Sequence, residues 1–266
     1  MGADRLRAMF ETARSEGRAA LLPFMTAGLP TPADSPALFR AMAEAGADGF
    51  EVGIPYTDPL MDGPVIQRGS DTAIAAGANP SVSLGILEQV SSDSGLPTLA
   101  MTYANPVMRR GVDAFCEDLA GRGADGIIVP DLPVEEAGPL GQAALRHGLG
   151  MVLFVAPTSD RSRIEAVAAA DPVFVYAVAE MGVTGERTEA GTHVVELAAR
   201  IREVTDAPVV FGVGISTPEQ ARAAGEVADG IIVGSALVRR VLEAESPEAA
   251  ASALSETVGA LAAALR

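Results

Sequence analysis

The chain has 266 residues, 48% hydrophobic and 20% charged, which is enough to bury a large core; its net charge of −16 repels nucleic acid and anionic membrane surfaces. A single cysteine, Cys116, permits no internal disulfide, and two histidines, His147 and His193, are too few for the usual His/Cys zinc site. All 19 basic residues are arginine, so this chain cannot form an imine with a carbonyl substrate or with pyridoxal phosphate.

Residues 4–15 read as a helix ahead of the first strand. Apolar, often β-branched runs then recur at 20–25, 49–52, 98–103, 126–129, 151–156, 173–178, 209–213 and 230–233, with helical spacing between them. Each run is nearly continuous rather than alternating, as parallel strands covered on both faces require. Eight strand–helix alternations predict a (β/α)8 TIM barrel with an extra N-terminal helix and a closing helix over 247–265. The doubly wound alternative fails because Thr26-Ala27-Gly28-Leu29-Pro30 after the first strand is not a dinucleotide fingerprint. Three copies of Ala-Asp-Gly, at Asp48, Asp125 and Asp229, lead into strands and read as structural helix-to-strand turns. No linker divides the chain, so residues 1–266 read as one catalytic domain. No stretch approaches the roughly 20 apolar residues of a membrane span, and the N-terminus carries no secretory pattern. The expectation is a cytoplasmic protein.

With imine and metal chemistry set aside, carboxylates, hydroxyls and backbone amides remain. Glu51 lies inside an apolar strand, where desolvation raises a carboxyl pKa toward a value useful for proton transfer. Asp62 follows eleven residues later, before Pro64, and reads either as a second catalytic carboxylate or as a helix N-terminal charge. Both histidines read as solvated helix-face residues. Glycine-rich turns after the seventh and eighth strands, at Gly214 and at Gly234-Ser235, are where this fold commonly binds phosphate through backbone N–H groups. Gly182-Val183-Thr184-Gly185 has the Gly-bounded, polar character of a lid.

The run from Glu51-Val52-Gly53-Ile54-Pro55-Tyr56-Thr57-Asp58 through Pro59-Leu60-Met61-Asp62-Gly63-Pro64 resembles the signature of the tryptophan synthase α subunit family. Similar matches occur at Pro23-Phe24-Met25-Thr26, Tyr103-Ala104-Asn105-Pro106, Asp131-Leu132-Pro133-Val134 and Gly214-Ile215-Ser216-Thr217. The resemblance spans roughly residues 5 to 245. It implies retro-aldol cleavage of indole-3-glycerol phosphate to indole and glyceraldehyde 3-phosphate, with Glu51 as general acid/base and Asp62 accepting the indole N–H. It implies an apolar pocket of Phe24, Met101, Tyr103, Ile128 and Tyr176, and a phosphate site at Gly185, Gly214, Gly234 and Ser235, with Thr184 of the lid on Asp62. It further implies a β subunit partner in an αββα heterotetramer, touched around Pro55 and Asp58. That partner would hold the pyridoxal phosphate; this chain would carry neither cofactor nor metal. The chain departs from the family at Glu180 and Val213, which bear on lid closure and affinity. Competing expectations are a free-standing lyase that releases indole, a non-catalytic allosteric partner of a β-like subunit, and another phosphate-binding barrel such as an isomerase.

Overall fold

The structure is a computed structural model that describes residues 1–178, 189–212 and 214–266, without the side chains of 189–193. Helix α1 (Gly2–Ser15) precedes β1 (Ala20–Thr26), which leads through α2 (Ser35–Glu44) to β2 (Phe50–Gly53). Helices α3 (Pro64–Ala75) and α4 (Pro80–Ser94) lead to β3 (Thr98–Met101). Helices α5 (Ala104–Arg110) and α6 (Val112–Gly121) lead to β4 (Gly126–Ile128). Helix α7 (Gly138–Arg146), β5 (Gly150–Val155), α8 (Arg161–Ala169) and β6 (Phe174–Ala177) follow. The chain ends with α9 (Glu189–Arg202), β7 (Val209–Phe211), α10 (Pro218–Gly225), β8 (Gly230–Val233), α11 (Ser235–Glu243) and α12 (Pro247–Ala264).

The eight strands are all parallel and close in sequence order, with β8 paired back onto β1. The expected (β/α)8 barrel with an added N-terminal helix is the observed one. Strand ends differ by a residue or two from the sequence reading. The third apolar run stops pairing at Met101, because Tyr103 already sits at the N-cap of α5.

Helix α1 plugs the N-terminal end of the barrel with Leu6, Met9, Phe10 and Ala13, all buried. Space for them comes from the glycines of the Ala-Asp-Gly repeat. A Cβ at Gly49 would stand 2.9 Å from the Met9 sulfur, one at Gly126 3.0 Å from Leu6, and one at Gly230 2.9 Å from the Phe10 ring. Contrary to the sequence reading, the repeat therefore does not itself make the turns. In the first two copies the left-handed turn falls upstream, at Gly46 (φ 108°) and Gly123 (φ 80°).

The repeated aspartates share one task. Each carboxylate accepts an N–H from the start of the preceding strand: Leu21 to Asp48 at 2.8 Å, Thr98 to Asp125 at 2.9 Å and Val209 to Asp229 at 2.9 Å. Each is also neutralised by arginine. Arg18 meets Asp48, Arg5 of α1 meets Asp125 at 2.9 and 3.0 Å, and Arg14 of α1 with Arg202 meets Asp229. The first helix is thus fastened to the barrel floor by both apolar contact and charge.

Asp125, with a side chain 3% exposed, holds the tightest of these sites. Asp125→Ala leaves the buried Thr98 N–H unpaired, and the expected loss is about 1–3 kcal/mol in urea unfolding. Asp125→Asn, which keeps an acceptor, loses less.

Candidate active site

Side chains alternate along a strand, so the register fixes which residues face the barrel axis. Phe24 stands opposite Glu51, Gly53 opposite Met101, and Met101 opposite Ile128. On the far side Phe154 stands opposite Tyr176, with ring centroids 4.9 Å apart. On β2 and β3 these positions share one face of the sheet at successive levels, Glu51 paired with Leu99 and Gly53 with Met101. Two glycines keep the C-terminal mouth open. A Cβ at Gly53 would stand 2.7 Å from the Phe24 ring, and one at Gly212 would collide with the Tyr176 hydroxyl. Because Gly212 faces inward, Phe211 faces the surrounding helices, where it is fully buried.

Glu51 is 2% exposed. Among the described residues it has neither a hydrogen-bond donor nor an arginine beside it. Burial, reinforced by the negative charge of Asp62, raises its pKa to about 8. The absence of a cation among the described residues distinguishes it from the aspartates of the floor.

Asp62 is half-buried on the loop after β2. Helix α3 begins at Pro64 with Gly63 as its N-cap, so Asp62 stands one position ahead of the cap, and the Tyr103 hydroxyl lies beside its carboxylate. Burial raises the Asp62 pKa to about 6, with the Tyr103 hydrogen bond opposing the rise. Burial next to Glu51 and Asp62 drives Tyr176 well above the ordinary phenol range. Near pH 7 the mouth therefore holds a protonated Glu51 and an ionised Asp62, the separation that acid–base work by two carboxyl groups requires.

Across the mouth, α11 starts at Ser235 with Gly234 as N-cap and no side-chain cap. Among the described residues its first N–H groups, those of Ser235 and Ala236, have no partner and point to where an anion would be held. Gly214 lies at φ 79°, in the left-handed region, on the turn ahead of α10.

The expected site residues Phe24, Glu51, Asp62, Met101, Tyr103, Ile128 and Tyr176 come together at one end of the barrel, with Gly214, Gly234 and Ser235 on neighbouring turns. Pro55 is buried at the base of the β2 loop, whereas Asp58 is exposed. Thr184, Gly185, Gly182, Glu180 and Val213 lie outside the described residues. Sequence reasoning missed Phe154. Its period-two signal was hidden in the uniformly apolar run of β5, where only pairing with Tyr176 shows its direction. His147 is half-buried against Asp113, 3.3 Å away, rather than freely solvated. Among the described residues no cluster of His, Cys, Asp and Glu could hold a metal, and no helix is long and apolar enough to cross a membrane.

Barrel, paired carboxyl groups and a phosphate-type turn together fit an acid–base enzyme of the (β/α)8 class. The model of the tryptophan synthase alpha chain family matches residues 10–266. The tryptophan synthase alpha chain of Salinispora tropica is 48% identical over 263 residues, covering 99% of this chain and 98% of that protein. That of Picosynechococcus is 44% identical over 87% of this chain and 88% of its own length. A solved Mycobacterium tuberculosis tryptophan synthase chain superposes with a TM-score of 0.89 at 40% identity, covering 98% of both chains. The chain belongs to the tryptophan synthase alpha chain family, and its role is the aldol-type lyase step of tryptophan biosynthesis.

The high pKa of Glu51 has a measurable consequence for folding. Between pH 4.5, the ordinary value, and about 8, folded Glu51 holds a proton that the unfolded chain has released. Stability therefore falls as pH rises through that window. Glu51→Gln removes this loss. The variant should melt above the wild type at pH 8.5, with the gap closing near pH 4.5 in thermal unfolding.

Proposed function

We propose that Glu51 and Asp62 cleave indole-3-glycerol phosphate between them. Protonated Glu51 gives its proton to indole C3, which turns the ring into the electron sink. The resulting Glu51 carboxylate takes the proton of the adjacent glycerol hydroxyl. The carbon–carbon bond then breaks, its electron pair returns to the ring, and indole and glyceraldehyde 3-phosphate leave. Ionised Asp62 accepts the indole N–H and stabilises the positive charge that develops there. The observation that carries this reading is a glutamate buried at the barrel mouth beside a second carboxyl group, with no cation next to it among the described residues.

Phe24, Met101, Ile128 and Tyr176, together with Phe154, would wall the indole. The N–H groups at Gly214, Gly234 and Ser235 would hold the phosphate, joined by Gly185, with Thr184 on Asp62. The chemistry needs no cofactor in this chain, and residues 1–266 act as a single cytoplasmic catalytic domain. The partner is a β subunit in an αββα assembly. The apolar side chains left in water beside the site support a partner over a free-standing lyase: Leu60 is 78% exposed, Met61 62% and Met108 61%. With no lysine in this chain, an imine to pyridoxal phosphate would have to form on that partner.

Indole release from indole-3-glycerol phosphate, followed with and without a β subunit, tests the reading. Glu51→Gln should lower kcat by about 10²–10⁴-fold while ligand binding persists in calorimetry; normal turnover by that variant would refute the mechanism. The kcat/KM profile should rise through about pH 6 as Asp62 ionises and fall through about pH 8 as Glu51 loses its proton.

A further inference from the structure

The loop after β2 carries Asp62 but is exposed at Asp58, Leu60 and Met61; an exposed loop does not by itself hold a carboxylate to the tolerance that proton chemistry requires. The loop after β3 supplies what is missing. The Met61 N–H donates to the Tyr103 hydroxyl oxygen at 3.2 Å, and the Asp62 carboxylate, on the next residue, lies close enough to the same hydroxyl to be stabilised in its ionised form. The phenol oxygen accepts from one residue of the loop, which leaves its O–H for the carboxylate on the next.

Two further contacts stiffen the arrangement. The Tyr103 ring packs on Tyr56 with centroids 5.5 Å apart, and Asn105 Nδ2 donates to the Tyr56 hydroxyl at 2.7 Å. Tyr103 itself is fixed from behind, because the next N–H, that of Ala104, donates to Asp131 at 2.8 Å.

We infer that Tyr103 is a positioning residue, whose hydroxyl fixes the Asp62 carboxylate in register with Glu51 by tying the β2 loop to the start of α5. This goes beyond Tyr103 as an apolar wall of the pocket, and it rests on the role of Asp62 given above. The groups whose charge reaches this corner are Glu51 on β2, Tyr176 on β6 and Asp131 after β4.

Tyr103→Phe keeps the ring and removes the hydroxyl. The expected result is a fall in kcat of roughly 10-fold with KM within about 2-fold, the pattern of an interaction lost only in the transition state. The Tyr103 hydrogen bond favours ionised Asp62, so its loss should move the acid limb of the pH profile to higher pH. In an Asp62→Ala background the same substitution should have no further effect, because its route to catalysis is gone. Unchanged kcat, a rise in KM alone, or losses that multiply in the double variant would each overturn the inference. Amide exchange at Met61 gives a readout independent of turnover and should accelerate in Tyr103→Phe; unchanged exchange would overturn the tie. If the wild type failed to cleave indole-3-glycerol phosphate, the assigned reaction would fail, while Met61 exchange would still report on the tie.

Discussion

A carboxyl group buried without a cation or donor beside it is held in its neutral form until the pH climbs far above its ordinary value. Glu51 is in that position, and much of the mouth's design follows from keeping it there. Its strand must be apolar on both faces, its opposite residues must be Phe24 and Leu99 rather than polar groups, and no arginine can approach. Asp62 then deepens the effect by adding a second negative charge at the same mouth. The pair tolerates that repulsion because one member keeps its proton.

The two ends of the barrel use carboxylates in opposite ways. At the floor, Asp48, Asp125 and Asp229 each receive a backbone N–H and at least one guanidinium, so their charge is satisfied and their work is structural. At the mouth, among the described residues, the carboxyl groups lack such partners and burial raises their proton affinity; at the floor the partners oppose the same burial, which still raises Asp125 but leaves Asp229 lowered. A protein whose cations are all arginine is well suited to this division. Each rigid fork can take a carboxylate oxygen and a carbonyl together, as Arg5 does with Asp125 and Gly95. The strongest pairing thus stays remote from the chemistry.

Much of this was legible in the sequence. Eight apolar runs announce a parallel barrel because each strand is covered on both sides, and a glutamate inside such a run is conspicuous. What stayed hidden depends on residues far apart in the chain. The Ala-Asp-Gly repeat could be seen, but the partner of Asp125 is Arg5, 120 positions away, and no local pattern says that α1 folds under the barrel to meet it. Phe154 was hidden because a wholly apolar strand carries no alternation from which to read direction. Asp62 was ambiguous for a different reason. A charge just ahead of a proline fits a helix start on local grounds, and only the placement of Gly63 at the N-cap frees its carboxylate for other work.

Tyr103 shows how the fold converts that freedom into function. A half-buried carboxylate on a loop would lose part of its proton affinity to solvent and part of its aim to motion. The β3 strand ends two residues before Tyr103, so the barrel's own rigidity reaches the ring, and the hydroxyl extends it 42 positions back along the chain to Met61. The same loop exposes Leu60 and Met61 to water. A surface that a partner subunit would cover is thereby joined, through one backbone amide and one phenol, to the carboxylate proposed to receive the indole N–H. Pressure on the outer side of the loop and proton placement on its inner side become one mechanical problem, which the barrel solves by anchoring the loop to the neighbouring strand.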